Sequence, residues 1–243
     1  MMQIRPEIDC LCHAFLQGLK EMLGAKLHGV YLYGSVVFPE TTNITDVDFH
    51  VILAQPLSDT EKSQLRRLHV DLARQYPPLG GELDGYYILL EDARKKQPPP
   101  HQFLEGVFDD SWALHRAHIH AGKYIALYGP DPVHIYPAAA WEEIDLALQG
   151  ELDFVAKHLE DHPAYCVLNL CRIMYSYQAR NVVVSKQFCA EWAIADFTEW
   201  KDLISAALLT YGQETATRNA EMLKTCLPEF FDFVNRRIRE LSH

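Results

Sequence analysis

The chain changes character near residue 138, and that change limits its fold more than any other feature. Before it, short apolar segments rich in β-branched and aromatic residues alternate with glycine- and proline-bounded breaks: LHGVYLYGS, DVDFHVIL and LDGYYILL, with YIALYGPDPVHIYP as an edge strand. After it, apolar side chains recur only at helical spacing, over 141–159, 163–180, 186–210 and 214–241. Two helices also fall among the strands. One covers 6–23, with Ile8, Leu11, Phe15, Leu19, Met22 and Leu23 on a stripe that Gly24 closes. The other runs from Asp59, read as its N-cap, to about Tyr76. Strands followed by helices predict an α+β chain: a mixed-sheet domain over 1–137, then an all-α helical bundle over 138–243.

Composition excludes several classes. No apolar run approaches the roughly 18–20 residues of a membrane span, and the N-terminus has neither the basic start nor the apolar core of a signal peptide. Six scattered cysteines are too few for a disulfide scaffold at this length and read as reduced thiols of a cytoplasmic protein. A formal charge of −11 argues against nucleic acid as a partner, because phosphate backbones want clustered Lys and Arg. It suits a cationic small molecule instead. The sequence leaves the oligomeric state open.

The chemistry concentrates in Gly34, Ser35, Asp46, Asp48 and Asp84. In the strand DVDF, alternation sends Asp46 and Asp48 to one face and Val47 and Phe49 to the other. Adjacent carboxylates repel unless a cation lies between them, and hard oxygen ligands at that separation suit Mg²⁺. Asp84, in the next strand, can supply a third metal ligand or a base, which makes a site for two Mg²⁺ ions chemically sound. Gly34 allows close backbone approach to a phosphate, and Ser35 adds N–H and O–H donors.

These residues, in VYLYGSVVFPETTNITDVDFHVIL, resemble the signature of the polymerase-β-like nucleotidyltransferase superfamily. More narrowly, the chain is similar to the adenylyltransferases that modify streptomycin and spectinomycin, with further support from CVLNLCRIMYSYQARNVVVSKQFCAEWAI. The resemblance implies a nucleotidyltransferase-type fold with a helical second domain. It implies transfer of AMP from ATP to a hydroxyl of a small molecule such as an aminoglycoside, with release of pyrophosphate and a link to antibiotic resistance. Asp46 and Asp48 would hold the metals, Gly34 and Ser35 the triphosphate, and Asp84 would stand where the family carries a catalytic glutamate. Arg172, Lys186 and Tyr211 match its nucleotide contacts. Two departures stand out. The turn before Ser185-Lys186 reads ARNVVVSK where the family usually has a glycine. The acidic residues that grip streptomycin have no counterpart in KHLEDHPAY, where His158 and His162 fall near their places.

Other candidates carry less. His115 and His118 share a helical face compatible with a metal, yet no further ligand joins them at a diagnostic spacing, so they read as core or surface histidines. Cys10 and Cys12 read as packing. Ser35 as a nucleophile would need a histidine base, and His50 is set aside for that role. The alternative to an enzyme is a non-catalytic nucleotide-binding module that keeps the transferase fold.

Overall fold

The structure is a computed structural model and describes residues 4–42, 44–211 and 218–241. It divides into two compact units, Met1–Trp141 and Glu142–His243.

The first unit is built on four strands: β1 (Leu27–Tyr33), β2 (Val47–Leu53), β3 (Leu83–Leu89) and β4 (Ile125–Tyr128). They lie in the order β3-β2-β1-β4. β1 is antiparallel to β2 and β4, whereas β2 and β3 run parallel. A parallel pair needs a crossover, which α2 (Asp59–Gln75) supplies; α1 (Pro6–Leu23) precedes the sheet. The predicted stripe of α1 is what it buries, with Ile8, Leu11, Phe15 and Leu19 packed against Val47, Phe49 and Val51 and against Leu65 and Leu72 of α2. Beyond the single turn α3 (Leu90–Ala93), the chain covers the opposite face with α4 (Trp112–His120). There Tyr31, Ile52 and Ile88 meet Trp112, Ile119, Ile135 and Tyr136. Alternation along β2 therefore sends Val47, Phe49 and Val51 to one core, and Asp48, His50 and Ile52 to the other face.

Two boundaries differ from the sequence expectation. Ser58, not Asp59, caps α2: its hydroxyl accepts from Glu61 N while Glu61 accepts from Ser58 N at 2.7 Å, a reciprocal capping box. The edge strand stops at Tyr128, because Gly129 takes a left-handed φ of 95° and Pro130-Asp131-Pro132 cannot continue a ladder.

The second unit contains α5 (Trp141–Lys157, whose first residue belongs to the first unit), α6 (Pro163–Ala179), α7 (Lys186–Asp196), α8 (Lys201–Thr210) and α9 (Arg218–Leu241). α6 is its axis, buried from Cys166 to Cys171 and packed against α7, α8 and α9. The single helix expected over 186–210 is broken at Phe197, whose backbone leaves the helical region. The break turns Phe197 and Trp200 onto Phe233 and Phe230 of α9, with ring centroids 5.3 and 5.1 Å apart. The expected start of the last helix at 214, like Gly212 to Glu214 of the TYGQE segment, lies outside the described residues. Among the described residues no helix is long and apolar enough to cross a membrane. None of the six cysteines is bridged.

Candidate active site

The first unit brings five of the expected residues to one end of the sheet. Tyr33, the last residue of β1, pairs with Asp48, and Asp48 pairs with Asp84 across the parallel β2–β3 ladder. Two carboxylates thus stand on neighbouring strands at matching positions. β2 begins at Val47, so Asp46 sits at the strand's mouth rather than within it, and its Oδ1 accepts from the Ser35 hydroxyl at 3.4 Å. Gly34 begins the helical turn Gly34–Val37 with φ of 69°. A Cβ there would collide with the Asp48 carboxylate, so glycine is dictated by both backbone and neighbour.

Electrostatics agree with a cation site. Asp84 is open to solvent, but partial desolvation and then the charge of Asp46 raise its carboxyl above the ordinary value. The candidate donors are all carboxylate oxygens, a donor type that suits Mg²⁺ and disfavours softer ions.

Directly along β2 lies a feature that sequence reasoning missed. His50 is fully buried on the Asp48 face and its Nε2 approaches Asp109 Oδ2 at 3.3 Å. His115 Nδ1 hydrogen-bonds the same oxygen at 2.8 Å. Burial pushes His50 down to about 4, against the pull of Asp109. Burial raises the Asp109 carboxyl, yet the charge and hydrogen bond of His115, with help from His50, outweigh it and hold the group below the usual carboxylate range. His115, read from the sequence as a core or surface histidine, is partly buried and bonded to Asp109, a partner that helical spacing alone did not reveal. The only signal was the period-two register of His50 with Asp48; Asp109 lies in a polar loop without pattern. His118, by contrast, is packed edge-on against Phe38, with centroids 5.6 Å apart.

In the second unit the remaining expected residues form their own cluster. Lys186 is the first residue of α7, capped by Ser185, whose hydroxyl accepts from Phe188 N at 3.1 Å. Its ammonium lies 4.2 Å from the ring centroid of Tyr165 and 5.2 Å from that of Tyr211, and it donates to the Tyr211 hydroxyl at 3.2 Å. Arg172 pairs with Glu151 of α5 at 3.2 Å, and Asn169 donates to the same carboxylate at 2.8 Å. Glu191 of α7 accepts from Gln187 at 3.0 Å instead of pairing with Arg172. Tyr165 was not foreseen. Burial raises its hydroxyl against the opposing influence of Lys186, and Glu151, Arg172 and Tyr211 act on it as well, so these groups share one electrostatic neighbourhood. The glycine missing before Ser185 has a structural counterpart: Arg180 itself takes the left-handed conformation, φ 51° and ψ 37°, that ends α6. His158 stacks on Phe154, with centroids 4.0 Å apart.

Comparisons with known proteins give the site a context. Residues 138–237 match the family model of the aminoglycoside adenylyltransferase C-terminal domain. Spectinomycin 9-adenylyltransferases from two strains of Staphylococcus aureus are each 25% identical over 203 residues, covering 74% of this chain and 75% of theirs. Spectinomycin adenyltransferase AAD(9) from Enterococcus faecialis, in a crystal structure with ATP and spectinomycin, superposes with a TM-score of 0.70 at 16% identity, over 93% of this chain and 97% of that one. That likeness fixes the fold as α+β with a helical second part. In sequence and fold together, the chain resembles the nucleotidyltransferases that adenylylate aminoglycosides.

Proposed function

We propose that this protein is an adenylyltransferase that moves AMP from ATP to a hydroxyl of a small cationic acceptor of the aminoglycoside or aminocyclitol kind, releasing pyrophosphate. The observation that carries the reading is the triad itself: Asp46 at the mouth of β2, Asp48 in it and Asp84 beside it, with Gly34 and Ser35 against them. The relatives support the reading: the sequence relatives are spectinomycin 9-adenylyltransferases and the structural neighbour holds ATP and spectinomycin.

Bound to Asp46, Asp48 and Asp84, Mg²⁺ ions supply charge neutralisation of the triphosphate and of the developing oxyanion. The chain's own residues do the rest. Ser35 and the backbone of the Gly34 turn donate to phosphate oxygens. Asp84, whose carboxyl is raised, takes the proton of the acceptor hydroxyl; the bond from that oxygen to the α-phosphorus forms as the bond to the pyrophosphate oxygen breaks. Asp84 is one methylene shorter than the glutamate it replaces, so the acceptor must come closer to β3. Lys186 and Arg172 bind nucleotide phosphates as cations, and Tyr211 and Tyr165 hold the Lys186 ammonium in place.

Charge supports the acceptor class: a net −11 and an acidic triad attract a polycation. The test is the mass of the acceptor after incubation with ATP and Mg²⁺ across a panel of aminoglycosides and aminocyclitols. A gain of one adenylyl group supports the reading. A gain of one phosphoryl group contradicts it. ATP binding with no modified compound favours a nucleotide-binding module instead, the reading that the shortened Asp84 supports.

A further inference from the structure

The geometry points to a second metal site, for a transition-metal ion of the Zn²⁺ class, formed by His50, Asp109 and His115. It is separate from the oxygen-lined triad and does not depend on the adenylyltransferase reading. Three observations carry it.

First, the donor set has the right composition and closeness. Two imidazoles and one carboxylate each offer a ligand atom, and these atoms all lie within 4.8 Å of one another. The approaches to Asp109 Oδ2 are 3.3 Å from His50 Nε2 and 2.8 Å from His115 Nδ1. Ligand atoms about 2.0–2.1 Å from one ion lie roughly 3.3 Å apart in a tetrahedron, so small movements would close the shell. Nitrogen ligands select Zn²⁺ and its neighbours over Mg²⁺.

Second, the site is left incomplete by protein alone. His50 Nε2 and Asp109 Oδ1 are fully buried and, among the described residues, neither makes a hydrogen bond. Orphaned buried polar atoms are rare in native proteins, and two in one cluster ask for a ligand.

Third, the surroundings orient the ligands as metal sites do. The other nitrogen of His50, Nδ1, lies 3.3 Å from the buried Tyr136 hydroxyl; in the tautomer whose Nδ1–H donates to that oxygen, Nε2 presents its lone pair inward. The Tyr33 ring packs on both imidazoles, with centroids 4.4 Å from His50 and 4.5 Å from His115. On binding, the ion takes the place of the proton shared between His115 Nδ1 and Asp109 Oδ2, which is released to solvent. The ion would tie β2, two residues beyond Asp48, to the start of α4, and so fix the strand that carries the triad.

The test uses metal-stripped protein titrated with Co²⁺ in excess Mg²⁺, for wild type, Asp48→Asn and His115→Gln. The expected result is one equivalent of Co²⁺ with the visible bands of a low-symmetry nitrogen–oxygen site in wild type and Asp48→Asn, and binding at least about tenfold weaker in His115→Gln. Bands that vanish in Asp48→Asn and persist in His115→Gln would put the ion on the triad and overturn the inference. ¹⁵N-histidine NMR of the wild type with and without Zn²⁺ frees the test from any folding defect of a variant. Shifted imidazole nitrogens of both His50 and His115 are expected; resonances unchanged in excess Zn²⁺ would refute the site.

Discussion

Replacing Gly34 with alanine separates two demands that the structure places on one residue. The first is backbone. At φ of 69° an alanine pays about 1–2 kcal/mol, which for a chain of this size is about 2–8 °C in Tm. The second is local. The added Cβ would lie 2.6 Å from the Asp48 carboxyl carbon, so the carboxylate must swing away from the triad. A reacting or metal-binding group misplaced by about 1 Å loses about a hundredfold in rate. Gly106→Ala is the control: its φ is 75°, but its Cβ would meet nothing within 4 Å. Both variants should therefore lose similar stability in thermal unfolding, while only Gly34→Ala loses about a hundredfold in kcat/KM for pyrophosphate release. Wild-type kcat/KM in Gly34→Ala, or an equal loss in Gly106→Ala, would refute the argument.

Asp84→Asn should remove the base and a metal ligand together. Because partial desolvation and Asp46 raise the Asp84 carboxyl, its ionised form is disfavoured in the metal-free fold; the variant should match or exceed wild-type Tm at pH 8 without Mg²⁺, and gain less from added Mg²⁺. Lys186→Ala should weaken ATP binding by about 1–3 kcal/mol, the value of a charged hydrogen bond, read by calorimetric titration; unchanged affinity would remove Lys186 from the nucleotide site. The bonds from Lys26 and Ser58 hold the Glu61 carboxyl at about 2, against an ordinary 4.5. A depressed acid stabilises the fold above its unfolded value and loses that contribution as pH falls through its folded one. The stability gap between wild type and Glu61→Gln should be full at pH 6 and shrink between pH 4.5 and 2, checked by urea unfolding; a gap independent of pH would contradict the assignment.

Much of the first unit was legible because its signals are short-range. The stripe on α1 and the alternation in β2 are properties of neighbouring residues, and they fix which side chains are buried. The relation of Asp48 to Asp84 was half legible: each stands near the start of its strand segment, but the exact register, and that the two strands run parallel and adjacent, is set by the α2 crossover. Other features depend on packing that no local pattern records. Arg172 pairs with Glu151 rather than Glu191 because α5, not the outer face of α7, lies against that side of α6. His50, Asp109 and His115 come from a strand, a loop and a helix, and only the folded sheet face unites them. Ser58 displaced Asp59 as the cap because a glutamate three residues on completes the reciprocal bond, a pattern present in SDTE from the start.

The central claim is magnesium-dependent adenylyl transfer through the Asp46–Asp48–Asp84 cluster. It is tested most directly by pyrophosphate release from ATP, with spectinomycin as acceptor and Mg²⁺ varied, in wild type and in Asp48→Asn whose fold is verified by circular dichroism. The account predicts release that requires both acceptor and Mg²⁺ and disappears in Asp48→Asn. Release at the wild-type rate in Asp48→Asn, with the same Mg²⁺ dependence, would contradict it.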